Sequence, residues 1–175
     1  MPSTLKHPAD LDVIRSFTRT VPVNIEAAIR GLGIALRKDA ADLEEKISGQ
    51  IRRLPDGGYE IATNGREHYF RQRFTMAHEL GHYVLHRDLI GDGVNDDTMY
   101  RSTALGNFYN TRIGLTQEAQ ANSFAANLLM PAEAMATMVA GQSQVDPRPL
   151  ATKFQVSPSA MRWRLRSLDI TLAPT

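Results

Sequence analysis

The sequence predicts an α+β fold, mostly helical, with a small antiparallel sheet of about three strands early in the chain and a helix-turn-helix-like helical pair at its end. Three observations carry this reading. Short, partly alternating segments between residues 34 and 64 are divided by turn signals. Apolar residues recur at helical intervals from 66 to 86 and again from 116 to 130. After Pro147, two short helical patterns flank a break. With 42% apolar residues in 175, the chain can bury a real core.

Taken in order, residues 1–21 read as a partly disordered leader, 22–145 as the main domain, and 146–175 as a helical subdomain packed on it. In 22-PVNIEAAIRGL-32, Asn24 stands where an N-cap belongs, Ile25, Ala28, Ile29 and Leu32 share a face, and Gly33 ends the helix. The strand candidates IALRKD, KISGQIRRL and YEIATN follow, with PDGG and NG as the turn signals of this region.

Between 66 and 86 the only Gly or Pro is Gly81, while Phe70, Phe74, Ala77, Leu80 and Val84 keep helical spacing, so this is the long central helix. Residues 88–115 contain four glycines and several Asp and Asn with no clear period, which predicts a long loop that orders when substrate arrives. Thr116 is placed to cap a second long helix through Met130, and Pro131 both stops it and suits the first turn of a third, ending near Gly141. The tail 149-PLATKFQVSPSAMRWRLRSL-168 reads as helix, turn at 155-QVS, helix, with Ser157 as N-cap and Pro158 in the first turn.

Composition narrows the function. The opening MPSTLKHPAD has no apolar run behind its lysine, and no later segment approaches the roughly 18 uninterrupted apolar residues of a membrane helix. A soluble, cytoplasmic protein with no membrane partner is the expectation. Twenty Lys+Arg against nineteen Asp+Glu give a net charge of +1, so the chain as a whole is not a polyanion binder. Zero cysteines exclude disulfides and thiolate ligands, and any metal must be held by histidine nitrogen and carboxylate oxygen.

That chemistry is concentrated in 74-FTMAHELGHYVLH-86. His78 and His82 are four residues apart, so on a helix they lie roughly 40° apart in azimuth and about 6 Å along the axis, close enough to share one ion. Glu79 adjoins them without ligating and can act as general base toward water at an open coordination position, which is the HExxH arrangement. Zinc held by neutral imidazoles lowers the pKa of its water toward neutrality. His86 lies about 12 Å from His78 along a straight helix and cannot share the ion; it is expected to be a structural or rim residue. The metzincin extension of the motif also fails, because its glycine and third histidine would fall at Leu85 and Asp88.

The third ligand must therefore come from another element. Glu118, in 118-EAQANSFAANLLMP-131, shares a helical face with Asn122, Ala125 and Leu129. Its carboxylate would complete a His2Glu site with one open position, and the amide oxygen of Asn122 could accept a hydrogen bond from a ligating imidazole. Ala119, Ala121, Ala125 and Ala126 would let the two helices approach closely. Alone, the HExxH motif could be chance and its histidines merely hydrogen-bonded; the downstream ExxxN helix, the preceding sheet and the lack of cysteine together favour a metal site. His68 and His7 have no constellation around them.

The runs 71-RQRFTMAHELGHYVLH-86 and 118-EAQANSFAANLLMP-131 resemble the two signature helices of the ImmA/IrrE family of zinc metallopeptidases, and the likeness extends over roughly residues 20 to 170. The resemblance implies a zincin-like metallopeptidase core, with His78, His82 and Glu118 as ligands of Zn²⁺ or Mn²⁺ and Glu79 as catalytic base. It further implies an endopeptidase that cleaves and inactivates a helix-turn-helix (Xre-type) repressor or antitoxin, in a mobile element, toxin-antitoxin pair or stress-response circuit. One departure stands out: such sites often carry Asp where Asn122 stands, so this hydrogen bond would be neutral and weaker. Tyr100, Arg101 and Tyr109 in the long loop are the candidates for stabilising the oxyanion.

The tail suggests a function of another class. From Pro147 to Leu168 there are Arg148, Lys153, Arg162, Arg164 and Arg166 with no acidic residue, a local charge of +5. Lys153, Arg162, Trp163, Arg164 and Arg166 are candidates for contact with a partner protein or DNA, or the pair simply packs through Phe154, Val156, Met161, Leu165 and Leu168. The alternative to a protease is thus a metal-stabilised regulatory or toxin-like protein that binds DNA or a partner without cutting it. An intact Glu79 favours the protease, since a structural site needs a fourth ligand rather than a base.

Overall fold

The computed structural model describes residues 8–97 and 112–174. In chain order the elements are α1 (Pro8–Phe17), α2 (Ile25–Gly31), β1 (Ala35–Arg37), β2 (Ile47–Arg53), β3 (Tyr59–Thr63), α3 (Tyr69–Ile90), β4 (Gly93–Asp97), α4 (Leu115–Leu129), α5 (Ala132–Val139), α6 (Pro147–Phe154) and α7 (Pro158–Ser167). The α+β class holds. Tyr100, Arg101 and Tyr109 lie outside the described residues. Among the described residues no helix is long and apolar enough to cross a membrane.

The helix ends follow local chemistry. Asn24 Oδ1 accepts the Ala27 N–H at 3.0 Å and starts α2. At its other end Ile34 N–H reaches Ile29 C=O and Gly33 N–H reaches Arg30 C=O, the Schellman pattern, with Gly33 in the left-handed region at φ 74°. The same pair of bonds closes α6 around Gln155 and α7 around Asp169, two non-glycine residues with positive φ. Gln155 is held there from outside: its Oε1 accepts from Tyr69 Oη at 2.9 Å and its carbonyl accepts from Arg73 Nε at 3.2 Å. Ser157 caps α7 by accepting from Ala160 N–H, as its sequence position predicts.

The sheet differs from expectation in two ways. It has four strands in the order β1-β3-β2-β4, and β1 runs parallel to β3 while the other pairs are antiparallel. The 54–58 hairpin lays β3 between β2 and β1, so β1 bonds to the strand two places on rather than to its sequence neighbour. The fourth strand, GVNDD, falls in the stretch expected to be loop; its residues are poor strand formers, but the open edge of β2 supplies backbone partners regardless of side chain.

Other boundaries moved. Helix α1 occupies part of the expected leader, and it is fastened to α3 by an Arg87–Asp10 ion pair and by burial of Ile14. Helix α3 continues four residues past His86, where the backbone departs from helical values at φ −128°, ψ 21°. Helix α4 is capped at Gly114, whose N–H donates to Gln117 Oε1, rather than at Thr116.

Helix α3 is the axis of the molecule, flanked by the sheet, by α2 and by α4. Against the sheet the fit leaves no room: a Cβ at Gly49 on β2 would overlap Thr75 Cγ2 and lie 3.0 Å from the Ala62 carbonyl. Gly49→Ala should therefore destabilise the fold by about 1–3 kcal/mol, as overpacking does, and adding Thr75→Ser should recover part of that loss. Urea unfolding of both variants measures the coupling.

Candidate metal centre

His78, Glu79 and His82 come from the buried middle of α3, and Glu118 from the first turn of α4. The two helices touch where side chains are smallest. A Cβ at Gly81 would sit 3.2 Å from the Cα and the carbonyl oxygen of Ala121 and from Phe124 Cδ1. Ala121, Ala125 and Ala126 are buried in that contact, as expected, whereas Ala119 faces outward.

Across this contact the donor atoms of three residues converge. His78 Nε2 and His82 Nε2 are 3.0 Å apart, and each lies 3.3 Å from a different oxygen of Glu118. Tetrahedral zinc with bonds of about 2.0–2.1 Å places its ligand atoms roughly 3.3 Å from one another, the scale of the nitrogen–nitrogen distance and of the approach of each imidazole to the carboxylate. All three residues are buried, and they form a His/Asp/Glu group of metal-binding dimensions.

The nitrogens facing away from the centre are also held. With Nε2 of each ligand bare, the protons sit on Nδ1. His78 Nδ1–H then donates to Asn122 Oδ1 at 3.0 Å, the role expected of Asn122. His82 Nδ1–H donates to His86 Nδ1 at 3.1 Å, and His86 Nε2–H donates to Gln120 Oε1 at 2.8 Å. Of the two roles expected of His86, structural or rim, its place is the structural one: it is buried, and its ring nitrogens face His82 and Gln120. Gln120 was not foreseen. It lies off the Glu118–Asn122 face and meets His86 where the backbone of α3 departs from helical values.

Protonation states suit a cation. Burial pushes His82 down to about 4, against the opposing pull of Glu118, and it lowers His86 as well. Burial alone would raise Glu118, but without a cation the imidazoles carry their protons on Nε2 instead, and the hydrogen bonds that Glu118 accepts from His78 and His82 prevail and hold the carboxyl below its ordinary range. Neutral imidazoles beside an ionised carboxylate are the forms that ligate.

The Peptidase_M78 family model, described as an IrrE N-terminal-like domain, matches residues 42–166. The chain belongs to that family. The match covers well over half of the chain, includes all three ligand candidates and Glu79, and confirms the resemblance to ImmA/IrrE proteins. Peptidase_M78 membership supports a metallopeptidase-type regulatory role. Among solved structures, a Mycobacterium tuberculosis transcriptional regulator shares the fold with a TM-score of 0.58 and 23% identity, over 92% of this chain and 47% of that one. The chain thus spans about half the length of that regulator. Comparison with the curated proteins returns no match.

The tail residues are dispersed. Arg164, expected as a partner or DNA contact, is buried, and its Nε donates to the Met130 carbonyl at 3.0 Å. Arg148 is paired with Asp146, one residue before the stretch counted as free of acid. Of the five basic residues only Lys153, Arg162 and Arg166 remain outside those two contacts, and Trp163 is 56% exposed.

Two outcomes follow. His86→Phe should keep the fold and lower zinc affinity about 10–100-fold, measured by chelator competition, because His82 loses the acceptor that fixes its tautomer. The metal-free protein should lose stability in acid. For His82 the folded value lies below the unfolded 6.5, so the unfolded chain binds more protons between about 4 and 6.5, and stability falls as pH drops through that window. The loss should reach roughly 3 kcal/mol, with Glu118 adding in the same direction below its ordinary range, and urea midpoints across the window measure it.

Proposed function

We propose that the chain is a zinc-dependent endopeptidase that cleaves and inactivates a partner DNA-binding repressor or antitoxin of the helix-turn-helix type. The observation that carries the proteolytic part is the donor count. The group at the centre has three protein ligands among the described residues, and Glu79, fully buried, adjoins two of them in sequence. A structural zinc site closes with four protein ligands; three and a neighbouring carboxylate suit hydrolysis.

His78, His82 and Glu118 would hold the ion, and a mixed nitrogen and carboxylate set favours zinc while admitting manganese. Zinc bound there supplies a Lewis acid that polarises the scissile carbonyl and acidifies water. Glu79 takes a proton from the attacking water on its carboxylate and passes it to the amide nitrogen as the C–N bond breaks. Asn122 and the His86–Gln120 pair keep the two imidazoles oriented, so that both present Nε2 to the centre.

Two observations point to the substrate: membership of the IrrE-like family, and a fold neighbour that is a transcriptional regulator. The chain, reconstituted with Zn²⁺ or Mn²⁺, should cut the helix-turn-helix protein encoded beside it at one site. Glu79→Gln should bind metal equally and slow cleavage by roughly 10²–10⁴-fold. If both proteins bind metal and partner and neither cuts, the chain is a metal-stabilised binding protein instead.

A further inference from the structure

A groove of about 890 Å³ runs beside the metal centre, between the start of α3, the outer face of α4 and the α6–α7 pair. Phe70, Phe74, Ala126, Met130 and Trp163 line it, and Asn122 stands at the side where it meets the centre. That amide is the one whose Oδ1 holds His78. A chain lying in the groove therefore passes directly to the ligand array.

We propose that this groove is the subsite that receives a large apolar side chain of the polypeptide substrate, with Trp163 as its exposed wall. The inference rests on the proteolytic reading of the centre and adds the substrate's chemistry to it. Among the described residues the lining contains no carboxylate to select a cation. Its one guanidinium, Arg71, donates to Ser48 Oγ at 3.3–3.4 Å, on β2 and outside the lining, which disfavours a phosphate or nucleic-acid occupant. What remains is apolar surface with a few serine hydroxyls, the Asn122 amide and the His68 imidazole, whose Nδ1 accepts from Phe70 N–H, the composition of a pocket that buries an apolar group and orients a backbone.

The wall is fixed rather than hinged. Arg73 on α3 donates to the Gln155 carbonyl, Tyr69 to the Gln155 side chain, and Arg164 on α7 to Met130. The second helix of the pair thus turns Trp163 toward the groove while Met161 and Leu165 hold the core. An exposed tryptophan beside an apolar groove is the residue type that anchors protein contacts.

Trp163 is the chain's only tryptophan, so its fluorescence reports occupancy without any cleavage. The full-length, zinc-loaded Glu79→Gln variant is titrated with blocked glycine peptides carrying one central Leu, Phe, Asp or Lys at millimolar concentration, and separately with a short DNA duplex. Leu and Phe peptides should shift the emission to the blue and cut acrylamide quenching by about half, Asp and Lys peptides and DNA should not, and Ser123→Phe, which fills the groove from α4, should abolish the response. Equal response to all four peptides, response to none, or response to DNA alone overturns the proposal. Because this variant lacks the base, any of these results leaves the proteolytic reading to be decided separately by cleavage of the partner.

Discussion

The metal centre depends on how closely α3 and α4 approach at Gly81. Two ligands sit on one helix and the third on the other, so the distance between the axes sets whether Glu118 reaches both imidazoles. Interaxial distance follows the size of the side chains at the contact. Here a glycine faces the backbone of Ala121, and even one methyl group would press against it at 3.2 Å. The bulk that α3 withholds there is placed on its other side, where Met76, Leu80 and Val84 fill the core.

Closeness has an electrostatic consequence. Burying a carboxylate, two ligand imidazoles and a further acid within one helix contact is unfavourable unless each group finds a partner. For the imidazoles the structure answers with hydrogen-bond chains that end on amides: His78 on Asn122, and His82 through His86 on Gln120. Neither chain brings in a further carboxylate. A neutral partner donates less electron density to the ligating imidazole than an acid would, so the charge of a bound cation is less compensated by its surroundings. The departure at Asn122 therefore weakens the orienting bond and leaves a bound ion the stronger Lewis acid.

The convergence of the candidate ligands was legible because residues four apart on a helix share a face, and because Glu118 and Asn122 repeat that spacing on the second helix. The cap at Asn24 and the turn at 155-QVS were legible for similar local reasons. What sequence could not supply was long-range. The strand GVNDD has the composition of a loop and is a strand only because β2 offers it an edge. The parallel pairing of β1 follows from where the hairpin lands, and α1 forms where only a leader was expected because α2 and α3 cover its apolar side. Arg164 looked like one more surface cation, since nothing in its neighbours announces that it reaches the end of α4.

That last residue bears on what the C-terminal pair is for. A helix-turn-helix that reads DNA must present the outer face of its second helix to a groove of the duplex, with cations along it. In α7 that arrangement is interrupted: Arg164 points inward to Met130, and Trp163 lines a groove belonging to α3 and α4. The turn preceding α7 is tied to α3 by Tyr69 and Arg73, so the pair is fastened to the helix that carries His78 and His82. The same two helices that give the tail its DNA-binding rhythm thus serve as a rigid flank of the metal centre. The rhythm itself, helix, Schellman turn, capped helix, is a general way to build a tight corner, and its appearance in sequence specifies the corner rather than the ligand.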